Sequence, residues 1–81
     1  MRIKIAMDTT AAAEKLTKLA STVDEEVYLE DGNGLKVRAK SILGSLHALE
    51  FEELWLVSEG DHFSLFQEFA LGAPLEAPPA Y

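Results

Sequence analysis

Apolar and polar residues alternate at the start of the chain. Met1, Ile3 and Ile5 fall on one side and Arg2 and Lys4 on the other, the period of a half-buried β-strand. From about Thr10 to Thr22 the period lengthens. Ala12, Leu16, Leu19, Ala20 and Val23 recur at i, i+4, i+7, i+8 and i+11, one stripe of a helix. The polar break Asp24-Glu25-Glu26 ends it. Residues 27–30 read as a short strand and Asp31-Gly32-Asn33-Gly34 as a turn. Leu35 to Lys40 alternates again with Leu35, Val37 and Ala39 on one side, so a β-hairpin is predicted. Ser41 stands at the N-cap of a second, short helix to about Leu49, with apolar Ile42, Leu43 and Leu46 behind it. Residues 53–58 predict a fourth strand, Leu54 and Leu56 inward, Trp55 and Val57 outward. A last helix begins at Gly60-Asp61, capped by Asp61, and runs to about Leu71. Phe63, Phe66, Phe69 and Ala70 lie at helical spacing and Gly72 is the stop. The proline-rich tail, residues 73–81, is expected to be disordered or draped on the surface.

The predicted order is βαββαβα. Four strands that each alternate need one covered face, and the three helices can supply it. The fold class is therefore a two-layer α+β domain over residues 1–72, an antiparallel four-stranded sheet with three helices on one face. Composition narrows the function. Eighty-one residues allow one domain with a small core. There is no cysteine, which excludes disulfides, thiolate metal sites and a thiol nucleophile. Apolar runs are too short to span a membrane. The alternating N-terminus is too short for a signal peptide, so a cytoplasmic location is expected. A net charge of −7 disfavours nucleic acid and anionic membrane surfaces.

Several segments carry a resemblance. Lys18-Leu19-Ala20-Ser21, Val27-Tyr28-Leu29-Glu30, Val37-Arg38-Ala39-Lys40-Ser41-Ile42-Leu43-Gly44 and Ser58-Glu59-Gly60 occur in the order and nearly the spacing found in HPr. HPr is the phosphocarrier protein of the bacterial sugar phosphotransferase system. The chain thus resembles the HPr family over most of residues 1–71. The resemblance implies an open-faced sandwich of three helices over a four-stranded antiparallel sheet. The family's active site is a Gly-Leu-His-Ala-Arg-Pro motif at the start of the first helix. Here the corresponding stretch is Met7-Asp8-Thr9-Thr10-Ala11-Ala12: Thr9 stands at the histidine position, Ala11 at the arginine position and Ala12 at the proline position. A threonine phosphoester does not turn over as a phosphoimidazole does, the guanidinium clamp is missing, and Asp8 adds a negative charge. A degenerate, non-enzymatic member is expected, with no cofactor and no metal.

Ser41 matches a serine that a dedicated kinase phosphorylates in the family's Gram-positive members, where the phosphorylated form binds a transcriptional regulator. A phosphate there would sit at a helix N-terminus beside Lys40. Plain capping explains Ser41, and Thr9, equally well. Ile42, Leu43 and Leu46 match the family's apolar docking positions, and Lys15 and Lys18 supply nearby positive charge. A second candidate surface is the outer sheet face. By strand parity it holds Arg2, Lys4, Tyr28, Lys36, Arg38, Lys40, Trp55 and Val57, five of the seven basic residues and the only tryptophan. Interleaved basic and aromatic residues on an open sheet also build RNA-recognition surfaces, but the stacking motifs are absent and the chain is acidic. Cross-strand pairing of Lys36 or Arg38 with Glu30 would make it a solvated face. Exposed Trp55 and Val57 would instead suit a partner or a homodimer. His47 and His62 lack a third ligand for a metal.

The first expectation is an HPr-like regulatory or adaptor protein acting through protein–protein contact, its partner a serine kinase or transcriptional regulator. The alternatives are an oligomerisation or ligand-binding module using the sheet face, and a phosphotransferase-system component with an atypical phosphoacceptor.

Overall fold

A computed structural model describes residues 1–71. Strand β1 spans Arg2–Lys4, helix α1 Thr10–Ala20, β2 Val27–Glu30, β3 Lys36–Arg38, α2 Ile42–Ala48, β4 Trp55–Ser58 and α3 Phe63–Phe66, followed by a 3-10 turn at Gln67–Phe69. The predicted element order holds: a small α+β domain with a four-stranded antiparallel sheet and three helices. The expected stop at Gly72 and the proline-rich tail lie outside the described residues. Among the described residues no helix is long and apolar enough to cross a membrane.

The strand order is β1-β4-β2-β3. The crossover through α1 leaves a gap between β1 and β2, and β4 fills it. The register aligns Ile3, Leu56, Leu29 and Val37 as one rung of the inner face. Ile3, Leu29 and Leu56 are fully buried there beneath Leu16, Ala13 and Ala20 of α1. The stripe of α1 is turned by about one residue from its predicted position. Ala13 takes the centre, while Ala12 and Leu19 are half-buried at the edge and Val23 lies past the helix end.

The hairpin turn is built by Asp31. One carboxylate oxygen accepts the backbone N–H of Asn33 at 2.7 Å and of Leu35 at 3.1 Å, and Gly32 and Gly34 take positive φ of 86° and 103°. The turn therefore absorbs Leu35, which is 45% exposed and not on the inner side of β3 as its spacing suggested.

The third helix is much shorter than the sequence predicts. After one turn of α3 and the 3-10 turn, Ala70 bridges to Ile5. The Ala6 N–H donates to the Phe69 carbonyl and the Leu71 N–H to the Lys4 carbonyl, both at 2.9 Å. The outer edge of β1 needs hydrogen-bond partners, and the returning chain supplies them where a longer helix could not. Phe66 and Phe69 still enter the core, and Phe63 packs beside it. Asp61 accepts the Phe63 N–H at 3.0 Å, so it caps α3 from one residue before the formal N-cap, His62.

Candidate functional site

Both candidate phosphate positions are helix caps. Thr9 is extended, and its Oγ1 accepts the Ala12 N–H at 3.0 Å. Ser41 is likewise extended, and its Oγ accepts the Gly44 N–H at 3.2 Å. Each satisfies one of the orphan N–H groups that open a helix. Thr9, Ala11 and the neighbouring Asp8 are exposed.

The orientation of α2 is not what its apolar residues would choose. The helix buries Ser45 and Ala48 and turns Ile42 and Leu43 outward, 39% and 76% exposed; Leu46 is half-buried. The cause is a small-residue underside. A Cβ on Gly44 would lie 2.6 Å from the Arg38 carbonyl oxygen, so only glycine lets the helix approach β3 this closely. The fully buried Ser45 hydroxyl donates to the Ala39 carbonyl at 3.1 Å and accepts from Thr17 Oγ1 at 2.7 Å. That polar chain ties α2 to both the end of β3 and α1. Once Gly44, Ser45 and Ala48 face inward, the 100° step per residue leaves Leu43 on the opposite side. Leaving a leucine in water forgoes about 1.5–3 kcal/mol of burial.

The outward apolar face continues to His47, whose ring meets Phe51 edge-on at 5.6 Å between centroids. Lys15 does not join this face. Its ammonium pairs with Glu68 at 3.0 Å beside the 3-10 turn, whereas α1 meets α2 through Thr17. Lys18 stands in the last turn of α1, where positive charge favours the helix dipole. The structure thus groups Ser41, Ile42, Leu43 and Leu46 on one short helix but leaves Lys15 on another side.

The outer sheet face is organised into two complete rungs. One reads Arg2, Val57, Tyr28, Arg38 and the other Lys4, Trp55, Glu30, Lys36 across β1, β4, β2 and β3. Trp55 and Val57 are half-buried and do not form the bare apolar patch expected of them. The Arg2 guanidinium lies 4.0 Å from the Trp55 ring centre and the Lys4 ammonium 5.6 Å, while Lys36 sits 4.6 Å from the Tyr28 ring. The ion pairs also differ from expectation. Arg2, not Lys36 or Arg38, approaches the Glu30 carboxylate, at 3.7 Å. Arg38 forks onto Glu26 through Nε at 3.1 Å and a terminal nitrogen at 2.7 Å, which lowers the Glu26 pKa. Glu26 lies two residues before Tyr28, so strand parity could have found it. Lys40, past the end of β3, reaches the Asp24 carbonyl at 3.4 Å.

A last cluster was invisible in the sequence. Glu25 accepts the Gly60 N–H at 2.8 Å and lies 3.1 Å from His62 Nε2, and both contacts hold its pKa below the ordinary carboxylate value, the Gly60 bond most. The pair joins the approach to β2 with the loop after β4, 37 residues apart. Compared with protein-family models, with curated proteins and with solved structures, the chain matches none.

Proposed function

We propose that this chain is an HPr-like, non-enzymatic regulatory or adaptor protein that docks a protein partner on the outer face of α2. The observation that carries the reading is the outward placement of Leu43, 76% exposed, beside Ile42 on the first turn after the Ser41 cap. A seven-residue helix that spends its inner face on glycine, serine and alanine keeps its large apolar side chains for contact with something else. In this reading Ser41 is the control point. A phosphate there would add close to two negative charges beside Ile42 and Leu43 and change which partners fit. The Thr9 and Ala11 positions lack the imidazole and guanidinium of a phosphocarrier, so transfer from a phosphoenzyme is not part of the proposal.

The test uses the full chain with ATP and the serine kinase of a phosphotransferase system. Label should enter at Ser41, vanish in Ser41→Ala and fall in Leu43→Ser, whose fold is unaffected because that side chain is exposed. No label on the unaltered chain would remove Ser41 as the control point. Acid-labile label from phosphoenolpyruvate and the first enzyme of the system would overturn the non-catalytic reading in favour of an atypical phosphoacceptor.

A further inference from the structure

The turn between β2 and β3 carries a motif that neither the α2 face nor the helix caps use, Asn33-Gly34. Asn33 is the only asparagine of the chain and is exposed, as are Gly32, Gly34 and Leu35 around it. Its side-chain amide takes part in no hydrogen bond among the described residues. Asp31 Oδ1 accepts the Asn33 N–H at 2.7 Å and the Leu35 N–H at 3.1 Å, the donors on either side of Gly34. The Gly34 N–H itself has no acceptor among the described residues. Gly34 takes a φ of 103°, and beyond its chain neighbours no atom lies within 4 Å of where a Cβ would stand. A free carboxamide is thus followed by a free main-chain N–H with no side chain to hinder it.

We propose that Asn33 modifies itself, without an enzyme, to isoaspartate and aspartate. The Gly34 nitrogen attacks Cγ of Asn33. The new C–N bond closes a five-membered succinimide ring, the Cγ–Nδ2 bond breaks, and ammonia leaves with the proton that Gly34 gave up. Water then opens the ring. Attack at Cγ frees that carbon from the Gly34 nitrogen and gives aspartate. Attack at the main-chain carbonyl breaks the original peptide bond and leaves the chain running through Cγ, as isoaspartate. One water is consumed and one ammonia released, and nothing is oxidised or reduced. Asp31-Gly32 has the same spacing but a poorer leaving group, an oxygen of a carboxylate that two N–H groups already hold. Gln67, the other carboxamide, would have to close a larger ring from within the 3-10 turn.

Either product makes the chain one unit more negative than −7. The new carboxylate joins Asp31 and Glu53, whose Oε1 would lie 2.9 Å from a Cβ on Gly32. Like charges crowded into one turn oppose its closure. Isoaspartate also lengthens the main chain by one atom between the two N–H groups that Asp31 holds, so the two bonds cannot both keep their lengths. The modified hairpin is therefore looser than the original.

The full chain is kept warm at neutral pH in heavy-oxygen water, digested and mapped by mass spectrometry. The peptide holding Asn33 should exchange its amide for a carboxyl bearing the heavy oxygen, and an isoaspartyl methyltransferase should label the same peptide. Exposed turns open at little cost, so the rate should lie within about tenfold of that in the urea-unfolded chain. Asn33→Gln should stay unchanged over the same time. The isoaspartate form, separated by ion exchange, should melt below freshly prepared Asn33→Asp, which has the charge without the extra atom. Asn33 persisting in the folded chain while the unfolded chain loses it overturns the proposal, and so does a first change at Asp31 or Gln67. Equal melting of the isoaspartate form and Asn33→Asp overturns the loosening of the hairpin.

Discussion

The underside of α2 and the outer face of the sheet hold the same protein together in opposite ways. Under α2 the contacts are made by glycine, serine, alanine and backbone, with hydrogen bonds of 2.7 and 3.1 Å around the fully buried Ser45. Across the sheet face they are made by the long side chains of Arg2, Lys4 and Lys36 laid over Trp55 and Tyr28. Short buried contacts have no slack, because a displaced atom either collides or leaves a polar group unpaired. Long half-exposed side chains re-form their contacts in other rotamers, and water screens what they lose. The first region therefore fixes where α2 lies and the second is free to exchange partners.

The largest effect should come from Gly44→Ala. Alanine gains about 1 kcal/mol of helix propensity over glycine. The new methyl nevertheless meets the Arg38 carbonyl at 2.6 Å, and the forced shift of α2 should leave a net loss of about 2 kcal/mol in chemical denaturation. A neutral or stabilised Gly44→Ala would mean that α2 does not sit this close to β3. Ser45→Ala comes next, at about 1–2 kcal/mol, since it orphans the Thr17 hydroxyl and the Ala39 carbonyl together. Adding Thr17→Val should restore part of the loss, and strictly additive melts would argue against a connected polar chain. Thr9→Ala and Ser41→Ala each remove one cap, about 1 kcal/mol, measurable in the same melts.

The sheet face should respond more weakly. Arg2→Ala loses its stacking on Trp55, about 0.5 kcal/mol, with a red shift of Trp55 emission as the ring meets water. An Arg2→Ala loss as large as that of Ser45→Ala would erase the contrast between the two regions.

Acid should act at the rim of that face, through Glu25. Its carboxyl has a lower pKa folded than unfolded, so the unfolded chain binds the extra proton. The stability it adds is fully present above the unfolded value of about 4.3, and is lost as pH falls through its lower folded value. A melting curve followed downward through that window should flatten in Glu25→Gln. Identical pH profiles for the two proteins would show that the Glu25 contacts with Gly60 and His62 do not discriminate the folded state.

Much of this was legible in the residue order. Period-two and helical runs located β1, α1 and β4, and Asp31-Gly32-Asn33-Gly34 specified its own turn because carboxylate and glycines act within five residues. Thr9 and Ser41 could be read as caps for the same reason: a cap's hydrogen bond reaches only three residues along the chain. The candidate site was legible as a segment but not as a surface. Ile42, Leu43 and Leu46 were placed on a docking surface by the resemblance alone; the physical reason that Ile42 and Leu43 face outward, the approach of β3 to Gly44, lies in the tertiary structure.

The sequence by itself determined the element order, the hairpin and the two caps, all consequences of contacts between near neighbours. It also determined that thiol chemistry is missing, since no fold supplies a cysteine to a chain that has none. Only the tertiary structure decided the rotation of α2, the early end of α3 against the edge of β1, and the partners of Arg2, Arg38 and Glu25. Each of those depends on which distant backbone or charge comes within a few ångströms, and strand order, not spacing along the chain, sets that.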